Sequence, residues 1–216
     1  MSRPSGRRNP DFEQKRAELT QRAREALLER GAGASFRELA EATGASVTNL
    51  KHYFGDRDGL FEAITADMQR RGQPFMDDAS VPRSADPHEA LRRFLHGLVT
   101  AWRFFGVGRD FVVGLAEGLG SERRGPSYVT HVLEPTLQSC EGLLGALIEG
   151  AALPPLDRRA GALALVGPVV LGLLHQDALF GAACRPLDVD AFVEAHVRGW
   201  LQGYARPAPA RPNPCP

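Results

Sequence analysis

The chain has 216 residues, and its 26 basic and 26 acidic side chains give a formal net charge of zero. Hydrophobic residues make up 43% and charged residues 24%, the proportions of an ordinary globular protein, which excludes a disordered chain and a polybasic coat protein. The cysteines, Cys140, Cys184 and Cys215, form no Cys-x-x-Cys pair and are too few for a disulfide scaffold. We therefore expect a reducing, cytoplasmic compartment.

The two ends of the chain are not expected to belong to the folded part. The start, MSRPSGRRNP, is basic but no apolar segment follows it, so it does not fit a secretory signal. We expect residues 1–11 to form a flexible basic arm and the Pro-rich residues 206–216 to be disordered. The longest apolar run, from Ala160 to Leu174, is shorter than the roughly 20 residues that span a membrane, and it predicts a buried helix.

Helical spacing dominates the whole sequence, and no strand-like alternation occurs, so we expect an all-α fold. The first helix is predicted at 12–30. The second helix starts after Ser35, whose Ser-x-x-Glu sequence forms a capping box with Glu38, and it ends at Gly44. The third helix is capped by Ser46 and runs through Phe54.

The remaining helices follow the same punctuation by Gly, Pro and capping residues. A fourth helix starts at Asp56, and residues 72–85 are predicted to form a loop. The pair Asp86-Pro87 starts a fifth helix. Further helices are predicted at 109–119, 127–150, 157–180 and 188–204, with kinks or breaks at Pro135 and Pro168.

The most informative stretch is 35–54, where two short helices are separated by a tight turn, as in a helix-turn-helix. The outer face of the second of them carries Thr48, Asn49, Lys51 and His52. Asn pairs with adenine, Lys with guanine or phosphate, and Thr with the thymine methyl group. Spacing alone leaves the alternative that this polar face is merely solvated in an ordinary helical bundle.

The run FRELAEATGASVTNLKHYFGDRDGLFEAI resembles the DNA-binding domain of the TetR family of bacterial transcriptional regulators. The matching residues are Leu39, Ala40, Gly44, Ser46, Leu50, His52, Tyr53, Phe54, Arg57 and Leu60. The resemblance implies an N-terminal three-helix helix-turn-helix DNA-binding domain at 12–57, a connecting helix at 58–72, and a larger C-terminal helical ligand-binding and dimerisation domain at 73–205. It also implies a homodimer that binds a pseudo-palindromic operator in double-stranded DNA, usually as a repressor that a small molecule releases.

The resemblance also implies which residues meet DNA. They are Arg37, Ser46, Val47, Thr48, Asn49, Lys51, His52, Tyr53 and Arg57. Lys51 stands where the family commonly has an aromatic residue, and Val47 stands where it has Lys or Arg. Arg7 and Arg8 allow two interpretations, an arm that reaches a phosphate or the minor groove, or a solvated tail.

Two sets of residues in the larger half are candidates for further sites. Pairing of the last two helices across a two-fold axis, which the resemblance implies, would use Leu165, Gly172, Val193, Val197, Trp200, Leu201 and Tyr204; the alternative is that these stripes pack inside one subunit. A ligand pocket with apolar walls and a few polar groups has as candidates Trp102, Phe105, His131, Gln138, His175 and Gln176.

We expect no cofactor, no metal and no catalytic site. The pairs His131/Cys140 and His175/Cys184 lack the spacing of zinc ligands. The sequence contains no G-x-S-x-G, P-loop or H-E-x-x-H motif. The alternatives to a DNA-binding regulator are an all-helical enzyme and an interaction module whose helix-turn-helix does not bind DNA.

Overall fold

The computed structural model describes residues 10–204, so the basic residues 1–9 and the residues from 205 onward lie outside it. The described residues form helices joined by turns and loops, without a strand, which confirms the all-α prediction. The helices are α1 Pro10–Arg30, α2 Phe36–Thr43, α3 Val47–Phe54, α4 Arg57–Ala79, α5 Pro87–Phe104, α6 Val107–Leu119, α7 Arg124–Tyr128, α8 Glu134–Glu149, α9 Arg158–Leu173, α10 Gly181–Cys184 and α11 Val189–Tyr204.

The predicted capping residues start their helices. The Ser35 hydroxyl accepts the N–H of Glu38 at 3.2 Å, and the Glu38 carboxylate accepts the N–H of Ser35 at 2.7 Å. At α5, the Asp86 carboxylate accepts the N–H of His88 at 3.1 Å. These bonds satisfy N–H groups that have no partner within the first turn of a helix. By contrast, α1 begins at Pro10, earlier than predicted, because Pro suits the first helical position.

The predicted loop at 72–85 is wrong over its first half, because α4 continues to Ala79. The polar composition suggested a loop, but a solvent-exposed helix can be polar over most of its surface. Asp67 pairs with Arg70 and Arg71 one turn further along, an arrangement that supports a solvated helix. The helix also passes through Pro74.

Pro135 and Pro168 have different effects. Before Pro135 the helix widens into a π turn at Val129–Leu133, in which the Glu134 N–H donates to the Val129 carbonyl. A wider turn fits here because Pro has no N–H and its ring crowds the carbonyl four residues earlier. At Pro168, where a kink or a break was predicted, the helix does not break, since α9 runs through it, and a second π turn follows at Leu174–Ala178.

The chain divides into two compact units. Unit 1 consists of residues up to 73 and residues 109–134, and unit 2 consists of 74–108 and the residues from 135 onward. The core of unit 1 includes Leu19, Leu50, Leu60 and Tyr128. The Tyr128 hydroxyl donates to the Phe111 carbonyl at 3.0 Å, and burial raises the pKa of this phenol. Residues 109–134 thus pack with the predicted DNA-binding helices.

In unit 2, α9 packs against α5 and α11. The Trp200 indole N–H donates to the Gly161 carbonyl at 3.1 Å, and the His196 Nε2 lies 2.9 Å from the Leu165 carbonyl oxygen. The helical run Arg158–Ala178 is long and apolar enough to cross a membrane by length and composition, with a mean hydropathy of 1.3. Leu165 and Val169 are fully buried whereas Leu163 and Leu171 are exposed, so the predicted buried helix is buried on one face only.

Candidate nucleic-acid interface

The turn between α2 and α3 is held by local hydrogen bonds. Gly44 adopts the left-handed conformation with φ 71°, which favours glycine. The Ala45 N–H donates to the Ala40 carbonyl at 3.1 Å, closing α2. The Ser46 hydroxyl then accepts the N–H of Asn49 at 3.1 Å and opens α3. The angle between the two helices is therefore set by their own capping residues.

One face of α3 is buried and the other is open. Leu50 is fully buried and Phe54 nearly so, because residues four apart lie on the same side of a helix. The exposed residues at and within this helix are Ser46, Val47, Thr48, Asn49, Lys51 and His52. The exposed set is the one predicted to face DNA, and it offers both hydrogen-bond donors and acceptors.

An aromatic cluster joins the end of α3 to the start of α1. The Phe12 ring lies 4.7 Å from the Tyr53 ring centroid and 5.7 Å, edge-on, from that of His52. The Arg16 guanidinium lies over the Phe54 ring at 5.3 Å, a cation–π arrangement. Tyr53 is therefore half-buried. Nothing in the sequence spacing of Phe12 links it to α3, so this contact was not predicted.

Arg57 was predicted to contact phosphate, but its guanidinium has partners inside unit 1. Its Nε donates to the Ala34 carbonyl at 2.7 Å, and its Nη2 donates to Glu117 at 2.7 Å. The side chain is 20% exposed. Its contact with DNA stays a prediction, and the observed bonds give it a role in holding α4 to the loop after α1. Arg37 is exposed on α2.

Glu117 on α6 is the centre of this polar cluster. Its side chain is 2% exposed, and it accepts hydrogen bonds from the Gly33 N–H at 2.7 Å and the Arg57 guanidinium at 2.7 Å. The Arg124 Nε lies 3.2 Å from its second oxygen. A buried carboxylate is tolerated only when donors surround it. On the same helix, Asp110 accepts two hydrogen bonds from Arg24.

The first turn of α4 is fixed from both sides. The Asp56 carboxylate accepts the Gly59 N–H at 2.9 Å and pairs with Arg123 at 3.0 Å. These two donors hold the pKa of Asp56 below its ordinary value. A Cβ on Gly59 would lie 2.1 Å from the Phe54 carbonyl oxygen, so only glycine allows α3 and α4 to join this closely.

The structure places the predicted ligand-site residues in different environments. Trp102 is buried, whereas Phe105, Gln138 and His175 are exposed. An exposed ring cannot wall an enclosed pocket, which removes Phe105 (76% exposed) from that role.

The two remaining candidates already have protein partners. His131, in unit 1, lies 2.7 Å from the Gln69 side-chain oxygen. The buried Gln176 accepts the Leu187 N–H at 2.9 Å and lies 3.1 Å from the Arg185 carbonyl. Gln176 thus holds the segment before α11. Within residues 10–204, no group of three or more His, Cys, Asp or Glu side chains is arranged to hold a metal ion.

Most of the residues predicted to pair across a dimer are buried inside the single chain, which favours the alternative that they pack within one subunit. Leu165, Val193 and Val197 are fully buried within the single chain, and Trp200 is 4% exposed; Gly172 is buried too. Side chains already enclosed by their own subunit offer no surface to a partner. Leu201 is half-buried and Tyr204 is exposed, with the Tyr204 ring stacked on Trp200 at 5.1 Å.

Comparison with known proteins identifies the helix-turn-helix. Residues 19–64 match the family model of the bacterial regulatory proteins of the tetR family. No curated protein sequence matches the chain significantly. Among solved structures, a candidate TetR-family transcriptional regulator from Mesorhizobium loti superimposes with a TM-score of 0.74 at 18% identity, covering 92% of this chain and 100% of that one.

Two other solved proteins share the fold. A TetR transcriptional regulator from Agrobacterium tumefaciens has a TM-score of 0.63 at 24% identity, covering 91% of this chain and 95% of its own. The transcriptional regulator FadR from Bacillus subtilis, solved in complex with stearoyl-CoA, has a TM-score of 0.65 at 15% identity and covers 87% and 98%. The chain therefore combines an N-terminal segment that matches the tetR family model with a fold that solved TetR-family transcriptional regulators share.

Proposed function

We propose that this protein is a homodimeric repressor that reads a pseudo-palindromic operator through α3 and leaves it when a small molecule binds. The observation that carries the proposal is the exposed polar face of α3 on a turn closed by its own capping bonds. Asn49 and Lys51 are the proposed base readers. The amides at the start of α3 are proposed to bind a phosphate.

The charge of the predicted DNA-binding half supports a dimer. Residues 1–72 contain 13 basic and 11 acidic side chains, a small excess for a protein that binds a polyanion. Because phosphate neutralisation supplies most non-specific affinity, one such half alone would bind weakly. Two halves on one dimer double the contacts and place α3 in successive major grooves about 34–36 Å apart.

The exposed faces of α9 and α11 supply a surface for that dimer in place of the buried stripe. On α9, Leu163 and Leu171 are 49% and 67% exposed. On α11, Gly199 and Gly203 are exposed, and a Cβ on either would meet nothing within 4 Å. Among residues 10–204, nothing requires glycine at either position, although glycine costs a helix up to about 1 kcal/mol relative to alanine. We propose that a closely packed partner helix occupies this open face of α11.

The dimer proposal has a matched test. Gly199→Leu fits the isolated chain but would block close approach of a second α11, so we expect it to shift the protein from dimer to monomer in light scattering. Gly97→Leu on α5 is the control, because Gly97 is also exposed with no atom within 4 Å of a Cβ. A Gly199→Leu protein that remains dimeric would show that the dimer uses another face.

The proposed inducer is a small molecule bound in unit 2. The complex of the related FadR with stearoyl-CoA makes long-chain acyl-CoA thioesters the first ligands to test. An inducer must bind the DNA-free form more tightly, since equal affinity for both forms shifts nothing. We expect such a ligand to lower operator affinity. If every ligand that binds leaves operator affinity unchanged, induction is excluded and repression without an inducer remains.

The central experiment is fluorescence anisotropy with DNA from upstream of the protein's own gene, titrated with salt and with random-sequence competitor. We expect tight, competitor-resistant binding that Asn49→Ala and Lys51→Ala weaken without lowering the melting temperature. Arg93→Ala, an exposed change on α5, controls for the lost charge. Unchanged affinity in both α3 variants would remove α3 as the reading surface. Because an operator lies on the chromosome, we place the protein in the cytoplasm.

A further inference from the structure

We propose that His88 and His96 on α5 form a proton-sensitive clasp that holds α11. When both rings are protonated, they attract the carboxylates of Asp190 and Glu194 on α11 and stabilise the contact between the two helices. The clasp is therefore strongest below about pH 6.5, where histidine is positively charged. Both helices belong to unit 2, and the clasp needs no DNA.

The clasp consists of two facing rows of side chains. His88, Arg92 and His96 are spaced four residues apart and therefore share one side of α5. Asp190 and Glu194 share one side of α11 in the same way. His88 faces Glu194, and His96 faces Asp190, so the helices run in opposite directions where they meet. Each basic position on α5 thus has a carboxylate opposite it.

The two rows lie at the edge of an apolar contact. α5 and α11 pack against each other, and Leu91, Leu95 and Val193 are fully buried. His96 and Glu194 directly follow Leu95 and Val193 in sequence, and both are half-buried. Charges at such a place interact more strongly than charges on an open surface, because less water separates them. The rings nevertheless remain accessible to protons from the solvent.

The rings lie close to the carboxylates but not at hydrogen-bond distance. The His88 Nε2 lies 3.7 Å from Glu194 Oε2, and the His96 Nδ1 lies 3.4 Å from Asp190 Oδ1. A charge-assisted N–H···O bond is about 2.7–2.9 Å long. Within residues 10–204, the buried His88 Nε2 has no hydrogen-bond partner. Protonation places an N–H on both nitrogens of a ring, so a small shift of the Glu194 side chain would then pair this atom.

The charged neighbours on α5 are already paired. Asp86, which caps the helix, accepts the backbone N–H of His88 at 3.1 Å. Glu89 pairs with Arg92 at 2.8 Å, and Arg92 also lies 3.6 Å from Glu194. Arg92 is positively charged at every pH of interest, so it provides a constant attraction between the rows to which the histidines add a variable one.

The remaining charges near the clasp do not oppose protonation of the rings. Arg103, further along α5, pairs with Asp177 at 2.9 Å and also attracts Asp190. Arg93 on α5 and Arg198 on α11 are exposed, where water and salt screen them. α9 packs against both helices but has no ionisable side chain between residues 160 and 174. A positive charge on either ring therefore meets a carboxylate before it meets an arginine.

A competing explanation is that the two histidines only fill space at the edge of the helix contact. In that case their replacement would lower the stability of the protein equally at every pH. The proton-sensitive clasp instead requires a loss that is present in acid and absent in base, because the attraction exists only while the rings are charged.

The test is urea unfolding of the whole chain, followed by circular dichroism at about pH 5.5 and about pH 8, where Asp and Glu with ordinary pKa values of about 4 stay ionised. His88→Gln/His96→Gln keeps two polar side chains that cannot be protonated. Partly exposed ion pairs have modest strength, so we expect the ratio of wild-type to variant folding constants to be roughly fivefold larger at the lower pH.

Two controls separate the clasp from general effects of histidine. The same two substitutions in an Asp190→Asn/Glu194→Gln background should give a ratio that does not change with pH, because the carboxylates of the clasp are gone. His52→Gln, at an exposed ring that contacts Phe12 and Tyr53, should also give a constant ratio.

The proposal is overturned by any of three results. The ratio for the His88→Gln/His96→Gln protein may be equal at both pH values, the increase in acid may persist without the two carboxylates, or His52→Gln may reproduce it. An increase that disappears only when the α11 carboxylates are removed supports the clasp.

Discussion

Replacing Glu117 tests how the DNA-binding helices are held in place. Its carboxylate is 2% exposed and binds the Gly33 N–H, Arg57 and Arg124. Glu117→Gln keeps the size of the side chain and one acceptor for Gly33. It places an amide NH2 group, or an uncharged oxygen, against the guanidinium groups.

The size of the effect follows from the burial of the partners. Removing one member of a fully buried ion pair costs about 3–5 kcal/mol. The side chains of Arg57 and Arg124 are 20% and 14% exposed, so water recovers part of this loss. We therefore expect Glu117→Gln to lower the free energy of unfolding by about 3 kcal/mol. For a chain of this size, that corresponds to roughly 6–12 °C in melting temperature.

Urea unfolding followed by circular dichroism measures this loss. The matched control is Glu122→Gln, the same chemical change at an exposed position, which should stay within about 0.5 kcal/mol of the wild type. DNA affinity should fall as well, because the cluster sets the position of the loop before α2. If Glu117→Gln unfolds like Glu122→Gln, the cluster is solvated and contributes no more than a surface ion pair, which would refute this reasoning.

Three further changes test the junctions and the core. Gly59→Ala should destabilise the protein and weaken operator binding, because its Cβ would meet the last carbonyl of α3 at 2.1 Å. The control Gly97→Ala, where a Cβ meets open space, should instead stabilise α5 by up to about 1 kcal/mol. Equal melting temperatures of the two variants would contradict this prediction. Because the pKa of Asp56 is lowered, the Asp56 carboxylate stabilises the fold at pH values above its ordinary pKa of 3.8, and this contribution is lost as the pH falls through the folded-state pKa. Asp56→Asn should therefore make the free energy of unfolding depend less on pH in that range. An unchanged acid-unfolding profile would exclude the Asp56 carboxylate as the source of this dependence. Cys184 is exposed, whereas burial raises the pKa of the Cys140 thiol to about 12. Peptide mapping after alkylation at pH 8 should therefore find Cys184 labelled in the native protein and Cys140 labelled only after denaturation. Labelling of Cys140 in the native protein would show that the core opens.

Local features of the fold were predictable because they depend on neighbouring residues. Ser35, Ser46 and Asp86 cap their helices as expected, since a capping bond joins residues two or three apart in sequence. The division of α3 into a buried Leu50 side and an exposed polar side follows from helical periodicity alone. The order of residues around the turn was specific enough to indicate the TetR family, which the family model for residues 19–64 supports.

The extent of some elements was harder to predict, because composition is ambiguous for exposed segments. The polar end of α4 has the composition of a loop, yet its ion pairs and hydrogen bonds allow a solvated helix to Ala79. The buried stripe of α11, centred on Val193 and Val197, has the same appearance in sequence whether its cover is another helix of the chain or a partner. The structure assigns it to the inside of the subunit.

The sequence by itself determined the helical class, the capped starts of α2, α3 and α5, and the exposed polar face of α3. Only the tertiary structure decided that α6 packs with the DNA-binding helices, that Glu117 holds Arg57, and that Phe12 lies against Tyr53. The physical reason is the range of the interactions. Caps and helical faces arise within a few residues, whereas Arg57 and Glu117 are 60 residues apart, and no spacing rule connects side chains that meet only after the chain has folded.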